Sequence, residues 1–195
     1  MTLDGVRIGF GVTGSHCTLK RVFDLAERLV NEFGAVLYPV FSESVWETDT
    51  RFGTASHWQN RMNDITDNTI IHTIKDAEPI GPKSLLDVMV IAPASGNTLG
   101  KLVNGIVDSP VLMAAKAHLR NGGPLVVAVS TNDGLGMSGK NIGMLCNIQN
   151  VFVVPFGQDD PIKKPNSLVA KMEMIPDTVF SALNKKQIQP ILIEY

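Results

Sequence analysis

The residues best suited to chemistry in this sequence are small, polar and gathered in loops. The first group is Gly9-Phe10-Gly11-Val12-Thr13-Gly14-Ser15, whose glycines fit the spacing G-x-G-x-x-G. Small residues let backbone N–H groups approach a phosphate, and the start of a following helix favours its charge. Gly9 and Gly11 fall inside an apolar run, so the working turn is Thr13-Gly14-Ser15, whose hydroxyls suit a phosphate monoester better than a dinucleotide. A dinucleotide site would also want an acidic residue at the end of the second strand. The chain has Phe41-Ser42 there, with Glu43 one step beyond. A tight turn without a ligand is the other reading. The second group, Ala92-Pro93-Ala94-Ser95-Gly96-Asn97-Thr98, offers hydroxyl, amide and free N–H groups that can grip a phosphate, a ribityl chain or a polar ring edge. Plain helix capping by Ser95 or Asn97 would use the same residue types.

The third group runs from Ser130 to Asn141. Residues 134 to 141 nearly match the P-loop G-x-x-x-x-G-K-[ST], but Asn141 replaces the hydroxyl that would bind magnesium. A glycine-rich active-site loop is the expectation here, not nucleotide hydrolysis. None of His16, His57, His72 and His118 pairs with another at metal-ligand spacing, and no metal is expected. His57 is the better general acid–base candidate. Cys17 stands near a helix start, which can lower a thiol pKa, although such a cysteine is more often a small packing residue. Cys146 reads as packing.

The elements that must position these loops follow from the apolar pattern. Continuous runs over Val6–Val12, Ala35–Phe41, Thr69–Ile74, Asp87–Ala92, Leu125–Ser130 and Val151–Pro155 predict six buried strands. Apolar residues spaced by three and four predict a helix over Thr18–Phe33, with Ser15 as N-cap and Gly34 just past its end. Further helices are expected over Ser56–Ile65, Asn97–Val107, Pro110–Arg120, 138–147 and 167–187, the last kinked or restarted at Pro176. Strands alternating with helices predict an α/β protein with a Rossmann-like, doubly wound parallel sheet of about six strands in a three-layer α/β/α arrangement. Ligands gather at the carboxyl ends of such strands.

The 195 residues suit a single domain, 1–195, with 156–195 as a C-terminal loop and helix extension. Seventeen basic and 19 acidic residues give a net charge of −2, so no basic excess points to nucleic acid or an anionic membrane. The cysteines form no disulfide or zinc pattern, and no apolar run approaches the roughly 20 residues of a membrane span, so a reducing cytoplasmic setting is expected.

Taken together, Gly11-Val12-Thr13-Gly14-Ser15, Ser42, and Pro93–Thr98 followed by Asn104-Gly105-Ile106-Val107-Asp108 resemble the flavoprotein superfamily of FMN-dependent cysteine decarboxylases and flavin prenyltransferases. The resemblance implies bound FMN and assembly as trimers or multiples of three. By position, Thr13, Gly14 and Ser15 would hold the flavin phosphate region with Ser42 beside them, and Ser95, Asn97 and Thr98 would line flavin or substrate. The chain departs from that pattern at Gly96, where alanine is usual. It also carries Val129-Ser130-Thr131-Asn132, of which only Asn132 matches the second decarboxylase motif. A cysteine-bearing clamp and the prenyltransferase arginine are absent, which argues against both of those activities.

The C-terminal third differs: Val154–Pro161 and Lys164–Ala170, with the opening Gly9–Cys17 and the Ser138–Gly143 loop, resembles the family of dipicolinate synthase B subunits. That resemblance implies an oxidoreductase subunit in the cytoplasm of a sporulating mother cell, acting with a dehydrogenase-like A subunit that alone uses NAD(P). The product would be pyridine-2,6-dicarboxylate, made from a dihydro- or hydroxytetrahydrodipicolinate. Asn97, Asn132 and Lys140 are then expected on the substrate carboxylates, with His57 and Asn132 as catalytic residues. Lys163 and Lys164 are further donors or only a solvated turn. A non-catalytic substrate-binding or assembly subunit without flavin, and a free-standing FMN decarboxylase, are the alternatives.

Overall fold

The computed structural model describes residues 2–194. Five strands run parallel in the order β2 (Val36–Phe41), β1 (Arg7–Val12), β3 (Val88–Ala94), β4 (Leu125–Thr131) and β5 (Val151–Val153). Their continuous Val/Ile/Leu runs reflect burial on both faces: every residue of β3 is buried, as are all but one of β4. The sheet is finished by two short antiparallel strands, β6 (Phe156–Gly157) and β7 (Leu168–Ala170). Strand β7 pairs with Ser130 and Thr131, at the end of β4 beyond the part that β5 occupies.

Helix α1 (Leu19–Asn31) buries Leu19, Val22, Phe23, Ala26 and Leu29 against the sheet, and the chain turns away beyond it at Gly34, whose φ of +75° suits a residue without Cβ. It packs with α3 (Ala55–Ile65) through a Phe23–Trp58 ring contact at 4.9 Å. Helices α5 (Gly96–Val103) and α6 (Pro110–Arg120) cover the other face of the sheet. The remaining helices are α2 (Glu43–Glu47), α4 (Ile74–Ala77), α7 (Gly139–Leu145) and α8 (Ile175–Leu183). Among the described residues no helix is long and apolar enough to cross a membrane.

Three expectations are corrected. Thr69–Ile74 is not a strand; only a Val40–Ile71 bridge forms. Ile71 N–H donates to Pro39 O at 2.9 Å, but another pair further back would need an N–H from Pro39, which proline lacks. Thr66 and Asn68 instead bond Leu37 O through their side chains, at 3.0 and 2.8 Å. Residues 167–187 are not one helix: Leu168–Ala170 is strand β7, and of the two outcomes expected at Pro176 it is the restart that occurs, with the proline in the first turn of α8. The helix expected to reach Val107 stops at Val103, where Gly105 turns the chain at φ +69°.

Candidate functional site

The carboxyl ends of β1, β2 and β3 meet at a cleft of about 400 Å³ lined by Thr13, Gly14, Ser42, Ser44, Asn97 and Lys101, among others. A second cavity of about 750 Å³ adjoins it at Gly14 and reaches the ends of β4 and β7, with Arg51, Thr131, Asn132, Asp159 and Lys164 on its walls.

The hydroxyls of the first cleft divide into those that hold the protein together and those that are free. Thr13, 2% exposed, donates from Oγ1 to Pro93 O at 2.7 Å and accepts from Ser95 N–H at 3.1 Å. It therefore ties the β1 loop to the β3 loop and has little left to offer a ligand, contrary to its expected role. Ser15 does not cap with its side chain; its Oγ donates to Ser130 O at 2.6 Å, bracing the first loop against β4. Ser95 is the N-cap of α5, accepting from Thr98 N–H at 3.3 Å and lying 2.9 Å from Thr98 Oγ1. Capping thus accounts for both Ser95 and Thr98.

Ser42 and Asn97 behave differently. Ser42 Oγ is buried and has no hydrogen-bond partner, a condition that costs about 1–3 kcal/mol unless something fills it. Asn97 lies on the cleft wall, and among the described residues its amide makes no hydrogen bond. Ser44, which no motif in the sequence singles out, sits on the same wall 3.1 Å from His16 Nε2. Burial pushes the His16 pKa down, so its imidazole is neutral near pH 7. A Cβ on Gly14 would stand 2.7 Å from Ser44 Oγ, so the loop passes close to Ser44 and a larger residue there would make its hydroxyl turn away. Gly9 and Gly11 serve packing instead: a Cβ at either would strike Met89, and at Gly11 also Val111. Lys101 is paired with Asp108 at 2.7 Å, and Glu43 also lines the wall, so the cleft offers neutral donors rather than positive charge. A buried hydroxyl lacking a partner, a second hydroxyl, a free amide and a close-passing loop fit the phosphate and polyol end of FMN.

Asn132 lines the second cavity, exposed, with Ser167 Oγ donating to its Oδ1 at 3.4 Å. Cys17 also lines the cavity and is exposed, not a packing residue. Arg51 stacks over the Phe52 ring at 4.8 Å. Lys164 Nζ lies 3.2 Å from Asp159 Oδ2. Burial pushes the Asp159 carboxyl up, but Ser167 and Lys164 more than offset this and hold it below the usual carboxylate range.

Two expected residues are not brought here. His57 is exposed on α3, edge-on to Trp58 at 4.7 Å, and lines neither cavity. Lys140 is exposed on α7 and also lines neither, because Ser138 starts the helix and turns the residue outward. The glycine-rich turn before it is filled by its own carboxylate: Asp133 accepts from the N–H groups of Met137 and Ser138 at 3.2 and 3.1 Å. Those donors are not free for a phosphate, so the near P-loop is a structural turn.

The chain is 54% identical over 193 residues to the dipicolinate synthase B subunit of Bacillus subtilis (strain 168), covering 99% of this chain and 96% of that protein. It superposes on the crystal structure of the dipicolinate synthase B subunit from Bacillus halodurans with a TM-score of 0.91 and 52% identity, covering 100% and 99% of the two chains. Burkholderia xenovorans DmrB in complex with FMN, described as a cubic protein cage for redox transfer, shares the fold at TM-score 0.66 and 20% identity, with 92% and 96% covered. The Flavoprotein family model matches residues 1–185. The chain therefore belongs to the flavoprotein family.

Proposed function

We propose that the protein is the FMN-binding B subunit of a dipicolinate synthase. Similarity over the whole chain supports the assignment, and the unpartnered Ser42 hydroxyl in the β1–β2–β3 cleft carries the flavin reading. Ser42, Ser44 and Asn97 would hold the phosphate and ribityl chain, with the Gly14 turn passing close enough to present its backbone. When bound, FMN supplies a two-electron acceptor for the dehydrogenation that makes the ring aromatic. The substrate would be a dihydro- or hydroxytetrahydrodipicolinate. The dihydro form loses two hydrogens, and the hydroxytetrahydro form loses water as well, to give pyridine-2,6-dicarboxylate. Thr131 and Asn132 would orient that ring in the larger cavity. A nicotinamide-dependent A subunit would complete the enzyme in the mother cell. Assembly in threes would let His57 serve a neighbouring copy rather than its own.

Flavin titration tests the reading. Wild-type protein should quench FMN fluorescence with saturation. Ser42→Ala should weaken binding about 10- to 150-fold, the worth of one hydrogen bond to a charged group. Its far-UV spectrum and melting temperature should not fall, because Ser42 Oγ has no bond to lose in the free protein. Failure of the wild type to bind FMN would overturn the flavin assignment, and unchanged binding by Ser42→Ala would remove Ser42 from the site.

A further inference from the structure

His16 and Ser44 form a pair of which the flavin reading uses only one member. His16 opens the short helical turn His16–Thr18 after β1 and lines the larger cavity, whereas Ser44 belongs to α2 and lines the first cleft. His16 Nε2 and Ser44 Oγ are 3.1 Å apart, so one proton lies between them. The contact sits beside the Gly14 turn, where a Cβ would stand 3.8 Å from His16 Nε2. The other ring nitrogen of His16, Nδ1, is buried and has no hydrogen-bond partner. A neutral imidazole carries one N–H and one lone pair. With the proton on Nδ1, a buried N–H would lack an acceptor, a rarer defect in folded proteins than an unmet lone pair. Protonating both nitrogens meets the same objection at Nδ1, and burial opposes the charge. With the proton on Nε2, His16 donates to Ser44 Oγ and the serine keeps its own O–H.

We propose that His16 is a positioning residue for a phosphate monoester: its Nε2–H fills a lone pair of Ser44 Oγ and commits the serine proton to a phosphate oxygen in the first cleft. The inference rests on the FMN reading for its ligand and adds a residue outside that cleft which governs one of its donors. A phosphate dianion offers only acceptors. A serine that gave its proton to the histidine would meet the phosphate lone pair to lone pair, so the direction of this one hydrogen bond decides whether Ser44 attracts the ligand or repels it. Lys101 is paired with Asp108, so the cleft relies on such neutral donors, and their orientation carries more of the binding.

Two measurements on the purified full-length chain test this. Proton–nitrogen NMR of the imidazole rings, on the FMN-free wild type near neutral pH, should show His16 uncharged with its proton on Nε2. An Nδ1–H tautomer, which would make Nε2 a base toward the serine, would overturn the proposal. FMN titration by fluorescence quenching is the second measurement. His16→Leu should weaken binding about 2- to 13-fold, the worth of one neutral hydrogen bond. His16→Gln, whose amide N–H can take the place of Nε2–H, should recover most of that loss. Ser44→Ala should itself weaken binding, and adding His16→Leu to it should cost nothing more, because the histidine acts only through the serine. Unchanged affinity in His16→Leu, a glutamine variant no better than the leucine one, or losses that add in the double variant would overturn the proposal. The two readings fail separately. No FMN binding by the wild type sinks the flavin assignment and the ligand named here with it, whereas normal wild-type binding with additive losses sinks the role of His16 alone.

Discussion

Thr13→Val is the sharpest test of how the site is held together. The side chain is 2% exposed, and valine nearly matches its shape, so the change deletes a hydroxyl and leaves almost no cavity. Two backbone groups then lose their partner: Pro93 O, which accepts at 2.7 Å, and Ser95 N–H, which donates at 3.1 Å. An unsatisfied buried group costs about 1–3 kcal/mol. Pro93 is buried and would bear most of that cost, whereas Ser95 is half-buried and can recover part of it from water. The total should be about 2–4 kcal/mol. For a domain of this size that lowers Tm by about 4–16 °C. Urea unfolding followed by circular dichroism gives the free energy, and a thermal scan gives the shift. Ser42→Ala is the internal contrast, since both hydroxyls line one cleft and only Thr13 is bonded. A loss below about 0.5 kcal/mol for Thr13→Val, within the range of an ordinary surface change, would refute the assignment of Thr13 as the tie between the β1 and β3 loops.

Two further predictions concern the opposite end of the sheet. Gly123→Ala would drive a Cβ into the buried His118 ring and should cost about 1–3 kcal/mol from overpacking. Combining it with His118→Ala should relieve much of that cost, giving a non-additive cycle by urea unfolding; strict additivity would show that the ring is not the obstacle. Burial holds the His118 pKa below its ordinary value, and Lys185 adds to this. The unfolded chain therefore takes up the proton first. Stability from this residue is complete above about pH 6.5 and falls as pH drops from there to the lowered folded value. His118→Gln should flatten the decline in unfolding midpoint across that window, and an unchanged slope would contradict the assignment.

Much of the fold was legible in the chain itself. Long β-rich runs at β1, β3 and β4 suit strands buried on both faces, and the three- and four-residue spacing of Leu19, Val22, Phe23, Ala26 and Leu29 puts one face of α1 inside. Parallel strands with helical crossovers point their carboxyl ends the same way, so the Thr13–Ser15, Ser42 and Ser95–Thr98 loops had to converge. Elements whose state depends on a partner were less legible. Leu168–Ala170 is a strand because the end of β4 offers it an unpaired edge, and Thr69–Ile74 is not one because Pro39 withholds a donor. The roles of the polar residues were decided by tertiary structure alone. A serine or threonine reads the same in sequence whether its hydroxyl is spent or free. Only the folded chain uses Thr13 and Ser95 to tie and cap, leaves Ser42 and Asn97 open, and brings Arg51 to the same cavity as Asp159 and Lys164. Hydrogen-bond partners and charge neighbours are set by distances in space, which residue type and spacing do not contain.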